Sequence, residues 1–137
     1  MCEDTLKKWI SQVRKGTVEL CILGLIKSKE TYAFEMVQEL EKIDGMVLSE
    51  GTIYPLLKRL QTDELISSFW SESDSGPPRK YYRITEKGKN LLEKMMIEWS
   101  QFTGFINNIL ERSKNDDKAN DSTREDQQIR FEIRTKS

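Results

Sequence analysis

The side chains most able to do chemistry lie in two short neighbouring stretches. "GTIYPLLKRL" runs from Gly51 to Leu60 and "RKYYRIT" from Arg79 to Thr85. Together they hold Lys58, Arg59, Arg79, Lys80 and Arg83 among Tyr54, Tyr81 and Tyr82. Ammonium and guanidinium groups interleaved with aromatic rings suit a polyanion, whose phosphates they neutralise and whose apolar parts the rings can cover. The formal net charge is only -1 and the pI about 5.7. Such a surface must therefore be local, and a non-specific basic coat is excluded.

Other chemistries lack their parts. The chain has no histidine, which removes the commonest general base, the Ser-His and Cys-His nucleophile systems and the usual metal ligand. No Walker-type or Gly-x-Gly-x-x-Gly phosphate loop occurs. Cys2 and Cys21 stand apart without metal-ligand spacing, so neither a disulfide framework nor a zinc site is expected. The expectation is a protein that is not an enzyme, with no cofactor and no metal. No apolar run approaches the ~20 residues of a membrane span, and "MCEDTLKKW" lacks the apolar core of a signal peptide, which points to the cytoplasm.

The elements that would position the two stretches can be read from periodicity. From Leu6 to Ile26, apolar residues at Leu6, Trp9, Ile10, Val13, Val18, Cys21 and Leu25 mark one face of a long amphipathic helix. Thr31 can cap a second helix with Tyr32, Met36, Val37 and Leu40 on one face, and Gly45 is its stop signal. A third helix begins between Ser49 and Thr52 and carries Ile53, Leu56, Leu57 and Leu60 inward; Thr52, Tyr54 and Lys58 point outward, with Arg59 beside them. Pro55 constrains its start. With Thr52 as N-cap it falls in the first turn, where no donor is required; with Ser49 as N-cap the helix bends. "LISSFW" and "KYYRIT", joined by "SESDSGPPR", read as a β-hairpin with a long tip. Thr85 then caps a last helix to about Arg112, in which Leu92, Met95, Trp99, Phe102, Ile106 and Ile109 recur in steps of three and four.

The predicted fold is therefore mainly α with a small β-hairpin. Residues 1–85 form a winged helix-turn-helix, residues 86–112 a C-terminal dimerisation helix, and residues 113–137 a polar tail without regular structure, although its closing "IRFEIRTKS" alternates like a strand. In a winged helix the third helix enters the DNA major groove and the hairpin lies along the backbone or minor groove. Thr52, Tyr54, Lys58, Arg79 and Lys80 are the expected DNA contacts. One such domain neutralises few phosphates, and a last helix of ~40 Å offers a homodimer interface through Leu92, Met95, Trp99, Phe102, Ile106 and Ile109. A twofold dimer implies a pseudo-palindromic double-stranded operator with half-sites about one turn apart. The alternatives are an ordinary solvated cationic face, or a winged-helix module that docks proteins without sequence-specific DNA binding.

Three stretches carry a family resemblance. "GTIYPLLKRLQTDELI", "PPRKYYRITEKGKNLL" and "TYAFEMVQEL" resemble the recognition helix, wing and second helix of the PadR family of bacterial transcriptional regulators, in the short subfamily with a single C-terminal dimerisation helix. Ala33 and Phe34 depart from the glycine and tyrosine usual in the last stretch. The resemblance implies a dimeric repressor of a neighbouring operon with transport, stress or detoxification functions, whose DNA contacts fall on Thr52, Tyr54, Lys58, Arg79 and Lys80 and, in addition, on Pro55. In multidrug-responsive members, planar drugs stack between tryptophans of the paired last helices. Trp99 in "EWSQF" is the matching residue, so a small hydrophobic or planar effector is implied there.

Overall fold

The structure is a computed structural model that describes residues 2–42 and 50–135, with side chains placed up to residue 117. In chain order it contains α1 (Cys2–Ser28), β1 (Thr31–Tyr32), α2 (Ala33–Lys42), α3 (Glu50–Thr62), β2 (Ile66–Ser73), β3 (Gly76–Ile84) and α4 (Glu86–Thr135). Two units divide the chain, Met1–Met96 and Ile97–Ser137.

The first unit is a winged helix. Its core takes Ile22, Leu23 and Ile26 from α1, Met36 and Leu40 from α2, and Ile53, Leu57 and Leu60 from α3, all essentially inaccessible to solvent. Each such side chain contributes roughly 1.5–3 kcal/mol by leaving water. On α1 the buried residues occupy a different stripe from the expected face, because this helix is apolar on two sides. Leu6, Trp9 and Val13 of the expected stripe remain exposed, while Val18, Cys21 and Leu25 are half-buried against the core.

The sheet has three strands in the order β1-β3-β2, both pairings antiparallel. The hairpin is as expected, but β1 was not anticipated. Thr31 is not a helix cap: it pairs with Tyr82 in the sheet and is buried, and α2 starts only at Ala33. Two residues are too few to show strand alternation. Gly45 and Ser49 lie outside the described residues.

The third helix starts at Glu50, so Thr52 lies inside it and is not its N-cap, and Pro55 sits in the helix interior. The donor that proline lacks would have met the Gly51 carbonyl. Gly51 and Pro55 are both exposed, so solvent can serve that carbonyl. The C-terminus of α3 closes as a Schellman motif. Leu65 N–H donates to Leu60 O at 2.9 Å and Glu64 N–H to Gln61 O at 3.0 Å, with Glu64 in the left-handed region at φ 62°. Leu60 and Leu65, both buried, supply the apolar contact that accompanies this motif.

The start of α4 is tied to that turn. The Thr85 hydroxyl accepts from Gly88 N–H at 3.0 Å, as an N-cap does, and donates to Glu64 O at 2.7 Å. Thr85 N–H donates to Leu65 O at 3.1 Å, and Lys87 Nζ to Asp63 O at 3.0 Å. Gly88 is required by this approach, because a Cβ there would stand 2.0 Å from Leu65 O.

The second unit continues α4. The compositional change at Ser113 does not end the helix, which runs on to Thr135, so neither an irregular tail nor a terminal strand forms over those residues. Residues 113–135 contain no glycine or proline, and a helix already nucleated propagates at little cost through residues that do not break it. Among the described residues, no helix is long and apolar enough to cross a membrane.

Candidate nucleic-acid interface

The exposed side of α3 and the wing form an open cleft of about 490 Å³ lined by Tyr54, Lys58, Gln61, Thr62, Lys80 and Tyr82. Helical spacing puts Tyr54, Lys58 and Thr62 on one side of α3, four residues apart, opposite the buried Ile53, Leu57 and Leu60. The Thr62 hydroxyl donates to Lys58 O at 2.8 Å. Gln61 Nε2 donates to Ser68 Oγ on β2 at 3.0 Å and fixes the wing against the helix.

Tyr82 forms the floor. It is buried, and burial first, then the neighbouring Tyr54, pushes its phenol above the ordinary tyrosine range, so it stays neutral. The Lys80 ammonium lies 5.8 Å from the centre of its ring. A neutral aromatic floor with two ammonium groups at its rim can accept phosphate oxygens without offering them a competing negative charge.

The five cations of the two stretches have different partners. Arg59 turns back to α1 and pairs with Glu19 at 3.0 Å, and Arg83 pairs with Glu30 at 3.2 Å. Among the described residues, Lys58 and Lys80 have no carboxylate within ion-pair distance. The cleft therefore keeps its positive charge although the chain as a whole is nearly neutral.

Arg79 does not join the cleft. Successive residues of a strand face opposite sides, so Arg79 and Lys80 diverge. On the outer face of the sheet, the Arg79 guanidinium lies 4.7 Å from the Tyr32 ring centre and donates to its hydroxyl at 3.2 Å. Tyr32 meets Tyr81 edge-on at 5.2 Å, Tyr81 stacks with Phe69 at 5.7 Å, and Arg83 covers Phe69 at 4.3 Å. This ladder of cations and rings crosses all three strands.

Of the expected DNA contacts, Tyr54, Lys58 and Lys80 line the cleft; Thr52 and Pro55 are exposed on α3; Arg79 belongs to the opposite face. Gln61, Thr62 and Tyr82 also line the cleft and were not among the expected residues. Period two along β3 already placed Tyr82 with Lys80, and the four-residue step placed Thr62 with Lys58.

The expected dimer residues also separate. Leu92 is buried in the core of the first unit and offers no surface to a second chain, while Met95 is half-buried against that core. The place of Leu92 in the apolar repeat reflects packing within one chain. Trp99, Phe102, Ile106 and Ile109 are exposed on α4, together with Phe105 and Leu110.

Residues 22–94 match the Transcriptional regulator PadR-like family. Among solved structures, a PadR-like transcriptional regulator from Bacillus cereus is 42% identical, with TM-score 0.68 over 72% of this chain and 96% of that one. A transcriptional regulator of Mycobacterium tuberculosis is 35% identical over 81 residues, 59% of this chain and 74% of that protein. The structure of Bacillus subtilis PadR in complex with operator DNA shares the fold at 24% identity, with TM-score 0.54 over 59% of this chain and 46% of that one.

Proposed function

The chain belongs to the PadR-like family of transcriptional regulators and is not an enzyme; from this premise we propose that it is a dimeric repressor of a neighbouring operon, acting in the cytoplasm on a pseudo-palindromic operator. The observation that carries this reading is the cleft of Tyr54, Lys58, Lys80 and Tyr82, whose two lysines keep their charge while Arg59 and Arg83 are neutralised. Helix α3 enters the major groove, Thr52, Tyr54, Pro55 and Lys58 meet the duplex from it, and Lys80 holds a phosphate from the wing. Arg79, held over Tyr32, reaches the backbone from the far side of the wing. The DNA complex of a protein sharing this fold supports the assignment of partner.

Dimerisation runs through the exposed row Trp99, Phe102, Ile106 and Ile109 on α4. A planar ligand stacking on Trp99 would release the repressor. That part predicts that a planar cationic dye quenches the protein's fluorescence and that Trp99→Ala abolishes the quenching.

The central test is fluorescence anisotropy against labelled DNA from upstream of the protein's own gene, at several salt concentrations and with random DNA as competitor. Competitor-resistant binding, falling steeply with salt, is expected. Binding no stronger than to random DNA at low salt would instead favour a protein-docking module.

A further inference from the structure

One large side chain on the cleft face is not used by phosphate binding. Trp70 on β2 pairs with Lys80 on β3, and directly opposed residues of antiparallel strands project to the same face. Two positions back along the hairpin, the pair Ser68 and Tyr82 shares that face, and Tyr82 lines the cleft with Tyr54 and Lys58. Trp70 thus continues the cleft face outward towards the tip, beside Lys80, and is 70% exposed. An indole gains more from leaving water than almost any other side chain. Here it stands uncovered next to an ammonium group that has no carboxylate partner among the described residues.

We infer that Trp70 is a specificity-determining DNA contact, its indole packing into the minor groove beside the α3 site while Lys80 holds the adjoining phosphate. The inference rests on the DNA-binding reading above and names a further residue of that site. The cationic cleft selects a polyanion, and the indole continues the same surface, so one duplex covers both. Apolar side chains entering a minor groove partly unstack a base step and bend the duplex, which favours steps that deform easily. The sequence flanking the α3 contacts is then read through deformability, at base pairs where no hydrogen bond from the wing is needed.

The test compares the full-length protein with Trp70→Ala, Trp70→Phe, Lys58→Ala and Lys80→Ala, using labelled duplex from upstream of its own gene and random duplex. Anisotropy is read across a salt series, with hydroxyl-radical footprinting alongside. Trp70→Ala is expected to weaken operator binding by about tenfold or more, in the range of other aromatic contacts with bases. The slope of log affinity against log salt should not change, because an indole releases no counterions. Minor-groove protection at the flanks should disappear, and Trp70→Phe should restore part of the affinity. Lys80→Ala should weaken binding and make the slope shallower by about one.

Wild-type affinity in Trp70→Ala, with clear losses in Lys58→Ala and Lys80→Ala, would overturn the inference and leave the DNA-binding reading standing. Loss of the dimer in Trp70→Ala, seen by sedimentation, would assign the indole to contact between copies and would also overturn it. Failure of the wild-type protein to prefer its operator over random duplex would remove both readings together.

Discussion

Lys58 and Arg59 are neighbours in sequence with different surroundings. Arg59 is paired with Glu19 on α1, whereas Lys58 opens onto the cleft with Tyr54. Lys58→Ala is therefore expected to weaken operator binding several-fold and to reduce the salt slope by about one. Tyr54→Ala should weaken binding with the slope unchanged. Arg59→Ala should leave affinity near wild type and cost at most about 1 kcal/mol of stability, as exposed ion pairs do. Anisotropy titrations and urea melts separate these outcomes. Tyr82 makes a second prediction, about pH. Its phenol is raised in the folded chain, so the fold binds that proton more tightly than the unfolded chain does. The stability this contributes is complete below the unfolded value of about 10 and is lost as pH rises through the higher folded value. Tyr82→Phe should show a flatter decline of urea midpoint above that pH than wild type. Which cations stay unpaired was not legible in the sequence, because Glu19 and Glu30 approach from distant parts of the chain. That Arg79 and Lys80 face opposite ways was legible, since strand alternation alone requires it.

The turn from α3 into the wing and the first turn of α4 form one hydrogen-bonded knot, and two substitutions there should act in opposite directions. Glu64 occupies a left-handed position without being glycine, so Glu64→Gly removes backbone strain and should raise stability by up to about 1 kcal/mol. Gly88→Ala adds a methyl group that would stand 2.0 Å from Leu65 O. Better helix propensity returns only about 1 kcal/mol, and the clash should outweigh it, for a net loss of about 2 kcal/mol or more. Shifts of the denaturation midpoint in opposite directions would bear out both. The cap at Thr85 was readable from its residue type, and the structure uses it as such. The left-handed Glu64 and the crowding at Gly88 were not, because neither has a local pattern. The first helix misled for a different reason: Ile22, Leu23 and Ile26 form a second apolar stripe, and periodicity does not say which of two stripes a core will choose.

At the scale of the molecule, near-zero net charge coexists with a cationic cleft because the acidic residues pair with some cations and lie away from others. The order of elements, and with it the winged helix, could be read from the sequence; the share of α4 committed to its own core could not, since Leu92 and Met95 follow the same repeat as Trp99 and Phe102. Ile106 is exposed on α4, so Ile106→Glu should leave the melting of the first unit unchanged while shifting the protein to monomer in sedimentation. Operator affinity should fall with it by at least about tenfold, as one half-site is lost. The ladder of Arg83, Phe69, Tyr81, Tyr32 and Arg79 on the outer face of the sheet has a further consequence. A two-stranded hairpin on its own is mobile, and ordering it on contact with a partner would subtract conformational entropy from binding. Locked across three strands, the wing loses that freedom during folding instead, so the residues of its tip can change from one relative to another while the direction in which the wing points is preserved.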